Sequence, residues 1–216
     1  MGPHRIFLLS PAFCGGRRAA ILLRPGSQVP IARKLQAGGL TLGEAFSFLS
    51  GLYFRGKLTY AQTFGTAPDR GAGTLVITPS RGLMRPDTLI DAELLREFAA
   101  ADVSTENSIY RVPLDRDASM LLARVRASTP IVLLGSIATG KYVDVLAPWF
   151  GKRLLYPSAF VGRGDMSRGG LLLRHAKAGE ELAYERLEIG VRPRGPRPAK
   201  LDPKDRVRES ELLRRD

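Results

Sequence analysis

The residues predict an α/β protein, a three-layer α/β/α sandwich around a mainly parallel sheet of four to five strands. Three observations predict it. Short apolar runs alternate with longer stretches at helical spacing, an order that demands crossover connections and a sheet covered on both faces. Each run closes on Gly, Ser or Pro, the punctuation expected where strands end. An apolar content of 44% over 216 residues suffices for one core of ordinary size.

Ile6-Phe7-Leu8-Leu9, closed by Ser10-Pro11, reads as a first buried strand, and Cys14-Gly15-Gly16-Arg17-Arg18 leads into an Ala-rich helix. Residues 43–64 carry Phe46, Leu49, Tyr53 and Leu58 at helical spacing, with Gly51 and Gly56 predicting a kink or two helices. Thr74-Leu75-Val76-Ile77-Thr78 is the next strand, ending at Pro79-Ser80-Arg81-Gly82. Helices are predicted over 88–101 and 115–127, then a strand at Ile131-Val132-Leu133-Leu134, and a short one over 152–156. Residues 156–170 read as a long loop, and Leu171-Leu172-Leu173 and 182–189 as edge strands. Residues 1–190 thus form a single α/β domain. Residues 191–216, rich in Pro and Arg, read as a flexible basic tail, with 209–215 a helix for a partner.

Thirty-three Lys/Arg against 21 Asp/Glu give a net charge of +12 and a pI near 10.4. Such charge favours polyanions, because cationic side chains displace the counterions condensed on phosphates. Only nine Lys/Arg and five Asp/Glu lie beyond residue 190, so the domain itself is basic. Cys14 is the single cysteine, which excludes an internal disulfide and points to a reducing, cytoplasmic setting. Two histidines, His4 and His175, leave little for a metal site, and no cofactor motif is present. The first residues lack a signal-peptide layout, and no apolar run reaches the roughly 20 residues needed to span a bilayer, so no membrane partner is expected.

The segment Gly135-Ser136-Ile137-Ala138-Thr139-Gly140-Lys141-Tyr142 nearly spells the triphosphate-binding loop, but Tyr142 stands where that loop needs the Ser or Thr that holds magnesium. An ATPase is therefore not expected; an anion site at a strand-to-helix turn, or a plain tight turn, is. In open α/β sheets ligands sit beyond the carboxyl ends of the strands. The loops 10–18, 78–82, 135–141 and 156–170 are expected to meet there, bringing Arg17, Arg18, Arg81, Gly135, Ser136, Lys141, Ser158, Arg163 and Arg168 to a phosphate. Tyr156 or Phe160 would stack on a base, and Asp165 would transfer a proton or orient water, or else pair with a neighbouring arginine. Cys14, beside two arginines, is either an activated thiol or a buried inert one. Ser10, Ser80, Ser136 and Ser158 follow strands, yet none lies in Gly-x-Ser-x-Gly and no histidine is paired with one, which disfavours a serine hydrolase.

Ser10-Pro11-Ala12-Phe13-Cys14, Leu52-Tyr53-Phe54-Arg55-Gly56-Lys57, and Val76-Ile77-Thr78-Pro79-Ser80-Arg81-Gly82-Leu83 with Pro86-Asp87 carry a further signal. With Val132-Leu133-Leu134-Gly135-Ser136-Ile137-Ala138, they resemble bacterial proteins of the uracil-DNA-glycosylase-like superfamily, in particular small domains associated with deazaguanine modification of tRNA or DNA. The similarity spans residues 5–175 or so, and Tyr156-Pro157-Ser158 sits where that family carries a His-Pro-Ser loop. The resemblance implies strand-end loops that clamp a flipped base and its phosphates, and a glycosylase-like hydrolase acting on N-glycosidic bonds. Three functions stay open: a nucleic-acid or nucleotide binder with or without glycosidic chemistry, an enzyme on a small phosphorylated metabolite, and a scaffold recruiting a partner through its basic tail.

Overall fold

In the computed structural model, which describes residues 4–67, 71–187, 190 and 192–196, β1 (Ile6–Leu9) is buried along its whole length, as an apolar run needs when both sheet faces are covered. Next come α1 (Arg17–Leu23), α2 (Pro30–Gln36), the short β2 (Leu40–Thr41), α3 (Leu42–Ser50) and α4 (Leu52–Phe64). Thr41 and Glu44 form a reciprocal capping box at the start of α3. Gly51, with φ of +64°, divides α3 from α4, the break that the glycine spacing predicts.

The chain continues through β3 (Thr74–Ile77), β4 (Leu83–Met84), β5 (Leu89–Ile90), α5 (Ala92–Ala100), α6 (Ser108–Arg124), β6 (Ile131–Leu134), α7 (Gly140–Phe150), β7 (Leu154–Pro157), α8 (Asp165–Ala178) and β8 (Tyr184–Arg186). The sheet order is β4-β3-β1-β6-β7-β8, with β3, β1, β6 and β7 parallel and a short antiparallel strand at each edge. The sheet therefore has six strands. α4 lies along β1 and β3 and packs on α8, while α7 lies along β7 and packs on α6, completing a three-layer α/β/α fold.

Three boundaries differ from the sequence reading. Leu89 and Ile90 pair with β2, and the following helix begins only after Asp91, whose carboxylate accepts the Leu94 N–H at 2.8 Å. α6 begins at 108, capped by Asn107, and carries Pro113 inside it. The largest change concerns 165–178: the glycine-rich end of the supposed loop, and the supposed strand at 171–173, are one helix. Gly169 serves packing. A Cβ on Gly56 of α4 would lie 2.5 Å from the Gly169 carbonyl oxygen, and one on Gly169 would lie 2.7 Å from that of Leu52, so the two helices cross backbone to backbone.

Among the described residues no helix is long and apolar enough to cross a membrane. Of the C-terminal segment, Arg192 to Pro196 lie against the body, with Arg192 paired to Asp144 at 2.5 Å. The rest of the expected tail, including 209–215, lies outside the described residues.

Candidate functional site

The connection leaving β1 returns to the sheet at β3, while the one leaving β6 returns on the other side at β7. The two strand ends therefore part company, and the crevice between them is the switch point where open α/β sheets take ligands. A cleft of about 560 Å³ opens there. Its walls come from the loop after β1, the first turn of α1, the start of α4, the turn after β6, and the starts of α7 and α8.

The floor is built around Ser10. Its N–H continues the sheet ladder to the Leu134 carbonyl at 3.1 Å, which holds its backbone rigid. Gly135 faces it closely: a Cβ at that position would stand 2.9 Å from the Ser10 Cβ. Behind Ser10 sits Lys57 from α4, buried to 1% exposure. Its Nζ donates to the Ser10 carbonyl at 2.6 Å and to Ser10 Oγ at 2.8 Å, and lies 4.5 Å and 4.9 Å from the ring centres of Tyr53 and Phe54. Burial draws the Lys57 ammonium down to about 7, opposed by the Asp165 carboxylate and reinforced by Arg168.

Two phenols complete the floor. Tyr53 is buried to 6% exposure, and no group among the described residues completes a hydrogen bond with its hydroxyl, although the Arg168 guanidinium is near enough to favour the phenolate. Burial nonetheless dominates and keeps this phenol protonated. Tyr142 stands beside Ser10 with its hydroxyl pushed up to about 12 by burial and by the charge of Asp165. The residue that spoils the triphosphate motif is thus a wall of the cleft.

The rim carries charge and one bare ring. Arg17, Arg18 and Lys141 line the cleft, and neither Arg17 nor Lys141 has an acidic partner among the described residues. Arg18 is partly engaged, donating from Nη1 to the Phe48 carbonyl at the end of α3 at 3.0 Å. Ser136 lines the cleft and accepts from the Thr139 hydroxyl at 3.3 Å. Asp165 opens α8 with its side chain 71% exposed, facing the cleft while standing 4.0 Å from Arg168. It therefore combines a place on the cleft with an arginine within ion-pair range. Phe13 is 80% exposed at the mouth, its ring folded over Gly15, where a Cβ would meet it at 2.9 Å.

Six of the expected residues lie elsewhere. Arg81 follows β3, where Glu97 grips it through Nε at 2.7 Å and through a second, shorter contact, and Ser80 shares the same carboxylate. It borders a separate depression of about 440 Å³ lined also by Asp91, Glu93 and Glu97, where acids outnumber cations. Arg168 is buried and donates from Nε and Nη2 to the Phe160 carbonyl, its guanidinium 5.1 Å over the Phe160 ring. It locks the turn before α8 and does not reach for a phosphate. Phe160 is fully buried beneath it, and Tyr156 is buried in β7 with its hydroxyl on Glu185 at 2.8 Å, so neither ring can stack on a base. Ser158 donates to the Ala183 carbonyl at 3.3 Å, and Arg163 reaches Ser167 at 3.2 Å. Neither lines the cleft.

Cys14 is the inert thiol of the two readings: it is 3% exposed, donates to the Ala12 carbonyl at 3.4 Å, and is pushed up to about 12 by burial. The sequence placed Ser10 at a strand end without pairing it with Lys57, and gave no site role to Phe13, Tyr53 or Tyr142. The spacing of Lys57 among apolar neighbours was the available signal, since a lysine on the buried face of a helix needs a reason. Comparison with known families, curated proteins and solved structures returned no match to this chain.

Proposed function

We propose that the chain binds a nucleotide unit, free or exposed on a nucleic-acid strand, in the cleft between β1 and β6. One observation carries this reading: cations without an acidic partner among the described residues, a bare aromatic ring and a buried phenol whose hydroxyl completes no hydrogen bond among those residues all line a single crevice at the switch point of the sheet. Arg17 and Lys141 would take the phosphate, Phe13 would stack on the base, and Tyr53 would donate to a polar group of the ligand. Gly135 and Ser136 provide the close backbone approach. The basic surface adds long-range attraction to polyanions. The resemblance to the glycosylase-like superfamily supports the same ligand class, and Asp165 is the carboxylate that would activate water against an N-glycosidic bond.

The test is titration of labelled single-stranded oligonucleotides and of nucleoside phosphates at salt of about 50 and about 200 mM. Affinity is expected to fall with salt, and Phe13→Ala, Arg17→Ala and Lys141→Ala to weaken it. No binding at either salt, or binding indifferent to all three substitutions, overturns the reading. Stabilisation by sugar phosphates but not by nucleotides would transfer the site to a phosphorylated metabolite.

A further inference from the structure

Lys57 is a buried lysine of an unusual kind. Charged side chains that are fully buried normally face a carboxylate, yet its hydrogen bonds go to one serine, through both the carbonyl and the hydroxyl. That serine lies on the floor of a cleft, at the end of a rigid strand, opposite a glycine that leaves room for it. We infer that Ser10 is a nucleophile and Lys57 its general base, acting on a phosphate ester of the nucleotide held in the cleft. The substrate class rests on the binding reading above.

The surroundings suit the roles. Asp165 and Arg168 from α8, Tyr53 and Phe54 from α4 itself, and Ser10 just after β1 face the amine, while Tyr142 from α7 stands beside Ser10. Their sum, dominated by burial, leaves Lys57 able to give up its proton near neutrality. Neutral Nζ can still donate to the Ser10 carbonyl while its lone pair accepts the Ser10 hydroxyl proton, since the same short contacts serve both protonation states. A histidine is not needed for such a pair, which is how the serine escapes the usual motif.

In the reaction, Oγ bonds to phosphorus as its proton passes to Lys57. The bond from phosphorus to the leaving ester oxygen breaks, and that oxygen takes the electron pair and the proton from Lys57. Water then attacks the phosphoseryl group, giving a proton to Lys57. The bond from phosphorus to Oγ breaks, and Oγ recovers a proton from the same amine. The balance is one water consumed per ester cleaved. Phosphorus is favoured over a carbonyl because Arg17, Arg18 and Lys141 line the same cleft, and a phosphoryl transition state spreads charge over three oxygens that cations can hold.

A fluorophosphonate probe on the full chain, read by intact mass and peptide mapping from about pH 5 to about pH 9, tests the dyad. The expected result is one adduct, on Ser10, forming faster as pH rises through about 7 and then levelling. Ser10→Ala should give no adduct, and Lys57→Met should slow it by roughly a hundredfold and abolish the pH rise. The parent's own pH profile stands even if Lys57→Met does not fold. Absence of an adduct at every pH, or a flat profile, overturns the dyad. Turnover of bis(p-nitrophenyl) phosphate supports the phosphoester assignment, whereas turnover of p-nitrophenyl acetate alone overturns it. Nucleotide binding that survives in Ser10→Ala while labelling of the parent fails sinks the dyad and spares the binding reading. Labelling that no nucleotide protects sinks the binding reading instead.

Discussion

Arg81 and Lys141 both follow parallel strands at the carboxyl margin of the same sheet, and their surroundings are opposite. At the end of β3, Glu97 and Ser80 absorb Arg81, and the adjoining depression holds more acids than bases. At the fork between β1 and β6, Lys141 and Arg17 have no acid to answer them among the described residues, and they line an open cleft. A second pair repeats the lesson: Arg168 spends its guanidinium on a main-chain carbonyl and a ring, while Arg17, on the first turn of α1, makes no such contact among the described residues. Cation count at a sheet margin is therefore a poor guide to a ligand site. What matters is which cations the fold leaves without a partner.

Substitutions can break that contrast. The largest expected effect is on the locked side: Phe160→Ala should cost about 3–5 kcal/mol in denaturant unfolding, by emptying a fully buried ring site. Arg168→Ala should follow at about 2 kcal/mol, from the lost hydrogen bonds to the Phe160 carbonyl and the lost stem packing, with nucleotide affinity in the folded fraction unchanged. If Arg168→Ala instead left stability intact and removed binding, the division into locked and free cations would be wrong.

Lys57 tests the floor of the cleft. Its native proton is held more weakly than in the unfolded chain, so the unfolded chain binds more protons between about 7 and the ordinary lysine value of 10.5. Stability should therefore rise with pH across that window, the full penalty applying below about 7. Lys57→Met should lack this rise, as seen in melting temperatures over the same range. On the free side, Arg17→Ala and Lys141→Ala should each reduce nucleotide affinity by roughly three- to tenfold at low salt and leave melting unchanged. The smallest effect should come from Glu97→Gln, which releases Arg81 without altering the cleft; a gain in nucleotide affinity there would show that charge alone carries the binding.

Much of the fold was legible in the residues. The apolar runs within 6–9, 74–77 and 131–134 became three adjacent strands of the sheet, because an apolar stretch that short has few other places to go. The break at Gly51 was readable for the same local reason. Gly169 misled, since a glycine that opens a loop and one that lets two helices touch look alike until the partner helix is known. Tyr156 and Phe160 misled likewise: an aromatic beside arginines reads as a stacking platform, and burial against β8 or beneath Arg168 removes it from solvent.

The chain by itself determined the class of fold, the basic character and the strand-end turns that hold Ser10, Gly135 and Lys141, because these depend on periodicity, composition and backbone freedom over a few residues. Only the tertiary structure decided which arginines were neutralised, that Phe13 stayed bare, and that Lys57 met Ser10 across 47 positions of sequence. Those outcomes turn on distances between remote segments and on the loss of water around them, and neither quantity is written in any local pattern.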